Sequence, residues 1–187
     1  FMHKSVKKVN LLTNNMSKSI YYFRNFFRPN KESEVFNLNA LVKNTVGLVD
    51  ATFEHNNIEI KGFHDGEILV YGFPNEFSQT LLNILNNAKD ALLDNNIKKS
   101  VVDIRVGLDD DYGFVKIKDN AGGIPIDILD KIFDPYFTTK EEGRGTGIGL
   151  YMSKIIVEQN MNGILKVENL DNGAEFIVKI PLYRDTA

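Results

Sequence analysis

Hydrophobic positions recur along the chain with two different periods, and the switches between them mark out the elements. Met2, Val6, Val9, Thr13, Met16, Ile20, Phe23 and Phe27 are separated by alternating steps of four and three residues. That is the heptad rhythm of a helix packing along a narrow seam. Residues 1–28 lack Gly and Pro, and Pro29 ends the run because proline clashes with a continuing helix. Either a helix lying on its own domain or one member of a helical bundle or dimer would use such a seam. The regularity favours the second, and with it a homodimer through residues 1–28.

Residues 30–36 are polar and charged and read as a linker. A helix is expected from about Asn39 to His55, with Leu41, Val42, Val46, Leu48, Val49 and Phe53 on its apolar side. Ile58 and Ile60, then Ile68 to Tyr71, look like a hairpin around the turn between Gly62 and Gly66. An amphipathic helix starts at Pro74, a favoured first-turn residue, and runs to about Asp94. Two strands follow, about Val101–Leu108 and Phe114–Lys118. Residues 119–147 are rich in Gly, Pro and Thr, with a short helix near Pro125–Ile132; a loop this long is usually functional. A helix over Ile148–Gln159 precedes a last hairpin, Ile164–Val167 and Phe176–Ile180, turning at Asp171-Asn172-Gly173. Adjacent strand pairs separated by helices predict a two-layer α/β sandwich: one mixed sheet covered by helices on one face, plus the long N-terminal helix.

Composition narrows the function. The 187 residues suit one medium domain plus an appended element, here 1–36 and 37–187. The net charge of −3 gives no basic bias toward a nucleic-acid partner. Cysteine is absent, which excludes disulfides and thiolate metal sites and leans toward the cytosol. No apolar run approaches membrane-spanning length, so any anchor of a parent receptor is expected upstream of this piece.

Three clusters carry candidate chemistry. Asn83 and Asn87 lie four apart on one helix, with Asp90 one turn on, among largely apolar neighbours. Amide and carboxylate oxygens suit Mg²⁺, which keeps waters and shares substrate phosphates, but a solvated polar stripe would look the same. Asp119-Asn120-Ala121-Gly122-Gly123-Ile124 follows a strand. A strand-end carboxylate can accept from an exocyclic amine, and glycines let a flat ring approach the backbone; a plain strand-exit turn is the alternative. Gly143 to Leu150, reading GRGTGIGL, opens a helix. Exposed N–H groups and a helix N-terminus suit an anion. The spacing fits neither the P-loop nor the dinucleotide fingerprint, and a flexible Gly-rich loop remains possible.

In this order and spacing the three clusters resemble the N, G1 and G2 boxes of sensor histidine kinases. These belong to the Bergerat-fold ATPase superfamily shared with DNA gyrase, MutL and heat-shock chaperones. Ile132 to Lys140, reading IFDPYFTTK, resembles the F box of the kinase branch. Residues 1–36 look like the second dimerisation-hairpin helix and its linker. The resemblance implies ATP and Mg²⁺ as cofactors, with Asn87 as the metal ligand and Asn83 beside it. It implies that Asp119 accepts from the adenine amine and that Gly123 lets the ring lie close. It gives Gly145, Gly147 and Gly149 to the triphosphate, and residues 124–147 to an ATP lid anchored by Phe133 and Phe137. Asp90, Ile124, Thr146, Ile148 and Leu150 complete the implied nucleotide contacts. Asn83 and Lys140 are the implied catalytic pair, Lys140 reaching the terminal phosphate unless it is only a solvated lid lysine. Two departures stand out: Ala121 where G1 usually has a second glycine, and Gly173-Ala174 where Gly-Thr is usual.

Such a kinase phosphorylates a histidine on the first hairpin helix, then passes the phosphate to a response-regulator receiver domain. None of His3, His55 and His64 has the acceptor's context, so the acceptor is expected on a helix outside these residues. The rival readings are a nucleotide-gated interaction module and a gyrase-type ATPase. The second needs a Glu on the inner face of the N-box helix, where none stands near Asn83; Glu76 lies two turns earlier.

Overall fold

The computed structural model describes residues 13, 32–62, 66–141 and 145–185. The expected N-terminal helix over 1–28 and its dimer seam lie outside these residues except for Thr13, as do His3, His64 and the loop residues 142–144.

The chain enters through β1 (Glu34–Asn37), α1 (Leu38–Gly47) and α2 (Asp50–His55). Strands β2 (Ile58–Gly62) and β3 (Leu69–Gly72) precede the long α3 (Pro74–Asp94). Strands β4 (Ser100–Asp109) and β5 (Tyr112–Asp119) form a hairpin. A short α4 (Ile126–Leu129) sits in the long loop, and α5 (Gly149–Ile155) continues as a π-helical turn over Ile156–Asn160. The chain closes with β6 (Ile164–Leu170) and β7 (Gly173–Pro181).

The main sheet has the order β2-β4-β5-β7-β6, antiparallel except for the parallel pair β2 and β4. Burial alternates along β5: Gly113, Val115, Ile117 and Asp119 turn inward, while Phe114, Lys116 and Lys118 lie on the half-exposed face. One face is therefore core and the other wet, as period-two patterning demands. Helix α3 packs against α1, α5 and β5, and its buried Phe77, Leu81, Ile84, Leu85, Ala88 and Leu92 recur at helical spacing. This is the expected two-layer mixed-sheet architecture.

Two local expectations fail. Ile58–Ile60 and Ile68–Tyr71 do not form a hairpin. Strand β2 takes the edge place parallel to β4, and β3 pairs with β1 in a separate two-stranded sheet, Val35 opposite Tyr71 and Phe36 opposite Val70. The segment read as linker supplied that missing partner, because polar Glu34 and Asn37 masked a strand flanking Val35 and Phe36. At Gly62, φ is +96° and a Cβ would stand 1.9 Å from the Ile104 carbonyl oxygen, so β2 lies flush on β4 there. Neither is the helix over 39–55 continuous. Leu48 and Val49 donate to carbonyls only three residues back, at Thr45 and Val46. The break turns Leu48 outward, 72% exposed, and lets Val49 and Phe53 reach the core.

Asn37 caps α1, its Oδ1 accepting from the Asn39 and Ala40 amides at 3.0 and 3.4 Å. Phe36, just before it, packs on Phe77 with ring centroids 6.1 Å apart. Phe77 is fully buried and ties the small sheet to the main core. Phe77→Ala should lower unfolding free energy by about 3–5 kcal/mol, the scale of an aromatic deletion from a packed core. Denaturant unfolding checks this; a loss under about 1 kcal/mol would mean that the site collapses around the gap.

Candidate functional site

From its middle onward α3 carries Asn83, Asn87 and Asp90, and these meet the start of α5 and the described part of the loop that follows β5. Asp119, the last residue of β5, is 5% exposed. Its Oδ1 accepts from the Ala121 amide at 2.9 Å and the Ala174 amide at 3.3 Å. Among the described residues nothing donates to Oδ2. Burial pushes the Asp119 carboxyl above its ordinary value, against the downward pull of those two amides. A buried carboxylate with one oxygen held and the other open is an acceptor waiting for a donor.

The turn after it is braced from three sides. Asn120 Oδ1 accepts from the Val101 amide at 2.9 Å, and its Nδ2 donates to the Lys99 carbonyl at 2.7 Å. Asn95 Nδ2 donates to the Ala121 carbonyl at 2.8 Å. Asn169, on β6, pairs with both backbone groups of Ile124, accepting at 2.8 Å and donating at 2.7 Å. Asn95 and Asn169 carried no signal in the sequence beyond being asparagines far from the boxes. Gly122 and Gly123 both have positive φ, and a Cβ on Gly123 would meet Asn169 Oδ1 at 2.8 Å. Ala121, where glycine is usual, has no positive φ and is buried, so that departure costs the backbone nothing. At the other departure, Ala174 serves Asp119 through its amide, which needs no hydroxyl.

Asn83 is 7% exposed and spends its amide inside the protein. It accepts from Gln79 Nε2 at 3.2 Å and donates to the Gly149 carbonyl at 3.2 Å and to Ser153 Oγ at 3.1 Å. It thus stitches α3 to the start of α5. Asn87 and Asp90, further along the same face, are half-exposed and meet the long loop: Lys140 Nζ lies 3.3 Å from Asn87 Oδ1 and 2.6 Å from Asp90 Oδ2. An ammonium therefore rests where the sequence places a metal. Among the described residues no group of three His, Asp or Glu could cage an ion. One amide oxygen beside a carboxylate, already holding a cation, fits an ion such as Mg²⁺ that takes its other ligands from phosphate and water.

The glycine-rich segment packs on the F box. Gly147 has φ +64°, and a Cβ there would stand 2.3 Å from the Tyr136 carbonyl carbon; Tyr136 N donates to the Gly147 carbonyl at 2.9 Å. A Cβ on Gly145 would lie 2.3 Å from Thr138 Oγ1. At Gly147 the left-handed φ and the neighbouring backbone of Tyr136 and Phe137 both call for glycine, whereas at Gly145 the crowding atom is the Thr138 side chain. Gly149 is different: a Cβ would make ordinary contact with Asn83, 3.7 Å away. Thr146 Oγ1 accepts from the buried Ile148 at 3.4 Å, and no side chain caps α5, so its first-turn N–H groups stay open beside Leu150. Phe133 packs edge-on against Phe176, centroids 6.5 Å apart, with Lys154 Nζ 5.1 Å above the ring. Phe137 is half-buried. A separate groove of about 420 Å³, lined by Tyr71, Phe73, Met161 and Tyr183 among others, shares none of these residues.

Comparison with known proteins follows the same boxes. Residues 72–184 match the family model described as histidine kinase-, DNA gyrase B-, and HSP90-like ATPase. The two-component sensor PprA of Pseudomonas aeruginosa is 36% identical over 158 residues, covering 81% of this chain and 17% of PprA. Sporulation kinase A of Bacillus subtilis is 30% identical over 156 residues, 82% of this chain and 25% of its own. The chain thus spans no more than 25% of the length of these two relatives. Among solved structures, the nucleotide-free catalytic domain of histidine kinase ThkA superposes with a TM-score of 0.69 at 28% identity, over 80% of this chain and 95% of that one. ThkA in complex with the response regulator TrrA superposes with a TM-score of 0.71 at 25% identity, over 97% of this chain and 52% of that one.

The raised Asp119 carboxyl has a consequence for stability. The folded state holds this proton more tightly than the unfolded chain, so the ionised form costs stability. That cost is absent below the ordinary value of 3.8, grows as pH rises toward the folded value, and is complete above it. Asp119→Asn keeps an oxygen for both amides and removes the charge. Its melting temperature without ligand should exceed that of the wild type at pH 7, and the difference should shrink as pH falls toward 4. A melting temperature at pH 7 equal to or below that of the wild type would show that the two amides outweigh burial.

Proposed function

The chain belongs to the family of histidine kinase-, DNA gyrase B- and HSP90-like ATPases, and from that premise we infer that it is the ATP-binding catalytic region of a two-component sensor histidine kinase. Its reaction is transfer of the terminal phosphate of ATP to a histidine on a hairpin helix. The observation that carries this reading is Asp119: a buried strand-end carboxylate with Oδ1 held by two amides and Oδ2 open. The adenine amine is the donor it fits. The relatives' names and the solved ThkA–TrrA complex support a response-regulator receiver domain as the downstream partner.

The residues divide the work. Asp119 accepts from the adenine amine, and Gly123 leaves the ring room against the backbone. The open amides at Gly149 and Leu150 face the phosphates, with Gly145, Thr146, Gly147 and Ile148 forming the loop before them. Asn83 holds α3 and α5 at fixed spacing, so adenine and phosphate sites stay in register. Asn87 Oδ1, with Asp90 beside it, would hold Mg²⁺, which when bound neutralises charge on the phosphate oxygens. Lys140 brings a point charge from the lid to the terminal phosphate, while Ile124 and Phe133 fix the two flanks of the lid. Little covalent chemistry is asked of the protein; it supplies position and charge.

Three measurements test the reading. Calorimetry should show ATP bound and GTP bound poorly, since the guanine O6 presents an acceptor to an acceptor. Asp119→Asn should weaken ATP roughly ten- to a hundred-fold, the scale of a charge-assisted hydrogen bond. Equal ATP and GTP affinities in the wild type would sink the adenine assignment. Asn87→Ala should remove most of the Mg²⁺-dependent part of ATP affinity; a variant that still responds to Mg²⁺ as the wild type does would clear Asn87. With γ-labelled ATP, the chain should leave its own histidines unlabelled and label an added histidine-bearing hairpin. Release of free phosphate without transfer would favour a gyrase-type ATPase instead.

A further inference from the structure

The lid and the helix beneath it are joined by a charged contact that ligand binding has to disturb. Lys140 Nζ sits 2.6 Å from Asp90 Oδ2 and 3.3 Å from Asn87 Oδ1. Its backbone is held as well: Lys140 N donates to Thr138 Oγ1 at 3.2 Å, and Gly145 lies close alongside. One ammonium cannot fully serve Asp90 and a terminal phosphate together. Nor can it share Asn87 Oδ1 with a divalent ion, because two cations at one oxygen repel. Lys89 Nζ, 3.5 Å from Asp90 Oδ1, is the other cation beside this carboxylate and keeps it from being left bare when Lys140 departs.

Resting on the nucleotide-binding reading above, we propose that Asp90 is a positioning residue that sets discrimination between nucleoside triphosphates and diphosphates. It parks Lys140 over Asn87, and a third phosphate draws the lysine away. Asp90 acts through Lys140 and does not touch the nucleotide. The side chains are 28% and 31% exposed, so water screens the pair and its rupture lowers affinity by no more than about fivefold. A terminal phosphate carries more charge than a carboxylate and wins the ammonium. Without a divalent ion at Asn87, a diphosphate has one group fewer and leaves Lys140 parked.

The test is a double-mutant cycle read by calorimetry with ATP and with ADP, first in EDTA and then in Mg²⁺. In EDTA, Asp90→Asn should raise ATP affinity by up to about fivefold and leave ADP within about twofold. Lys140→Met should lower the ATP-to-ADP ratio, and in that background Asp90→Asn should change nothing. Asp90→Glu should restore the wild-type ratio. Without nucleotide, hydrogen exchange at the Thr138–Lys140 amides should rise equally in Asp90→Asn and Lys140→Met. A fall in ATP affinity in Asp90→Asn, or the same change in both backgrounds, overturns the proposal, because Asp90 would then touch the nucleotide or its metal directly. Unchanged exchange in both variants overturns the parked contact on its own, whatever the nucleotide does. Failure of the wild type to bind either nucleotide would bring down the nucleotide reading of the site, and this proposal with it.

Discussion

A buried carboxylate must be given donors or it surrenders its charge, and the arrangement around Asp119 follows from that need. The two amides on Oδ1 come from very different distances along the chain, Ala121 two residues on and Ala174 fifty-five residues on. For the Ala174 amide to arrive, β7 must begin flush against the end of β5. It does so through Gly173, where a Cβ would stand 1.7 Å from the Asp119 carbonyl oxygen. Any side chain there would push the hairpin tip away and strand the carboxylate. The register of β5 with β7, the tip of the last hairpin and the setting of the Asp119 carboxylate are therefore one constraint.

The described residues of the loop after Asp119 have no strand ladder to hold them, yet their backbone groups still need partners. Asparagine side chains meet that need because one amide offers both a donor and an acceptor, a copy of the peptide group. Asn120 binds the start of β4, Asn95 reaches back from the end of α3, and Asn169 completes a two-bond pair with Ile124 as a neighbouring strand would. The asparagines scattered along the chain look like compositional noise until the fold brings three of them to one turn.

Much of this was legible in the sequence. The long α3, the β4–β5 hairpin and the β6–β7 hairpin have strong local periodicity and local turns, so neighbours in sequence are neighbours in space. The boxes were legible because their residue types are rare together. The β1–β3 pair was not, since it joins strands over thirty residues apart and half of β1 is polar. The parallel seat of β2 was hidden for a related reason: two short apolar runs across a glycine turn carry the pattern of a hairpin whether or not they pair. Asn83 illustrates a subtler limit. Helical spacing put it on the face of Asn87, but only the packing of α5 shows that its amide is consumed by Gly149 and Ser153.

The contacts that hold the described part of the loop after β5 differ in what can replace them. Phe133 against Phe176 is an apolar contact, and a charged ligand offers nothing in exchange for it. Tyr136 and Gly147 interlock through backbone, both at positive φ, and the strain of a left-handed tyrosine persists because Gly147 leaves it no alternative. Lys140 is held by side-chain oxygens alone, and side-chain oxygens are what phosphate groups imitate. On the proposed function, a polyanion arriving at α5 would act on the charged contact first, because it would compete there on the same chemical terms. Between those two contacts the described part of the loop meets α3 through Lys140, on the helix face that also carries Asn87 and Asp90.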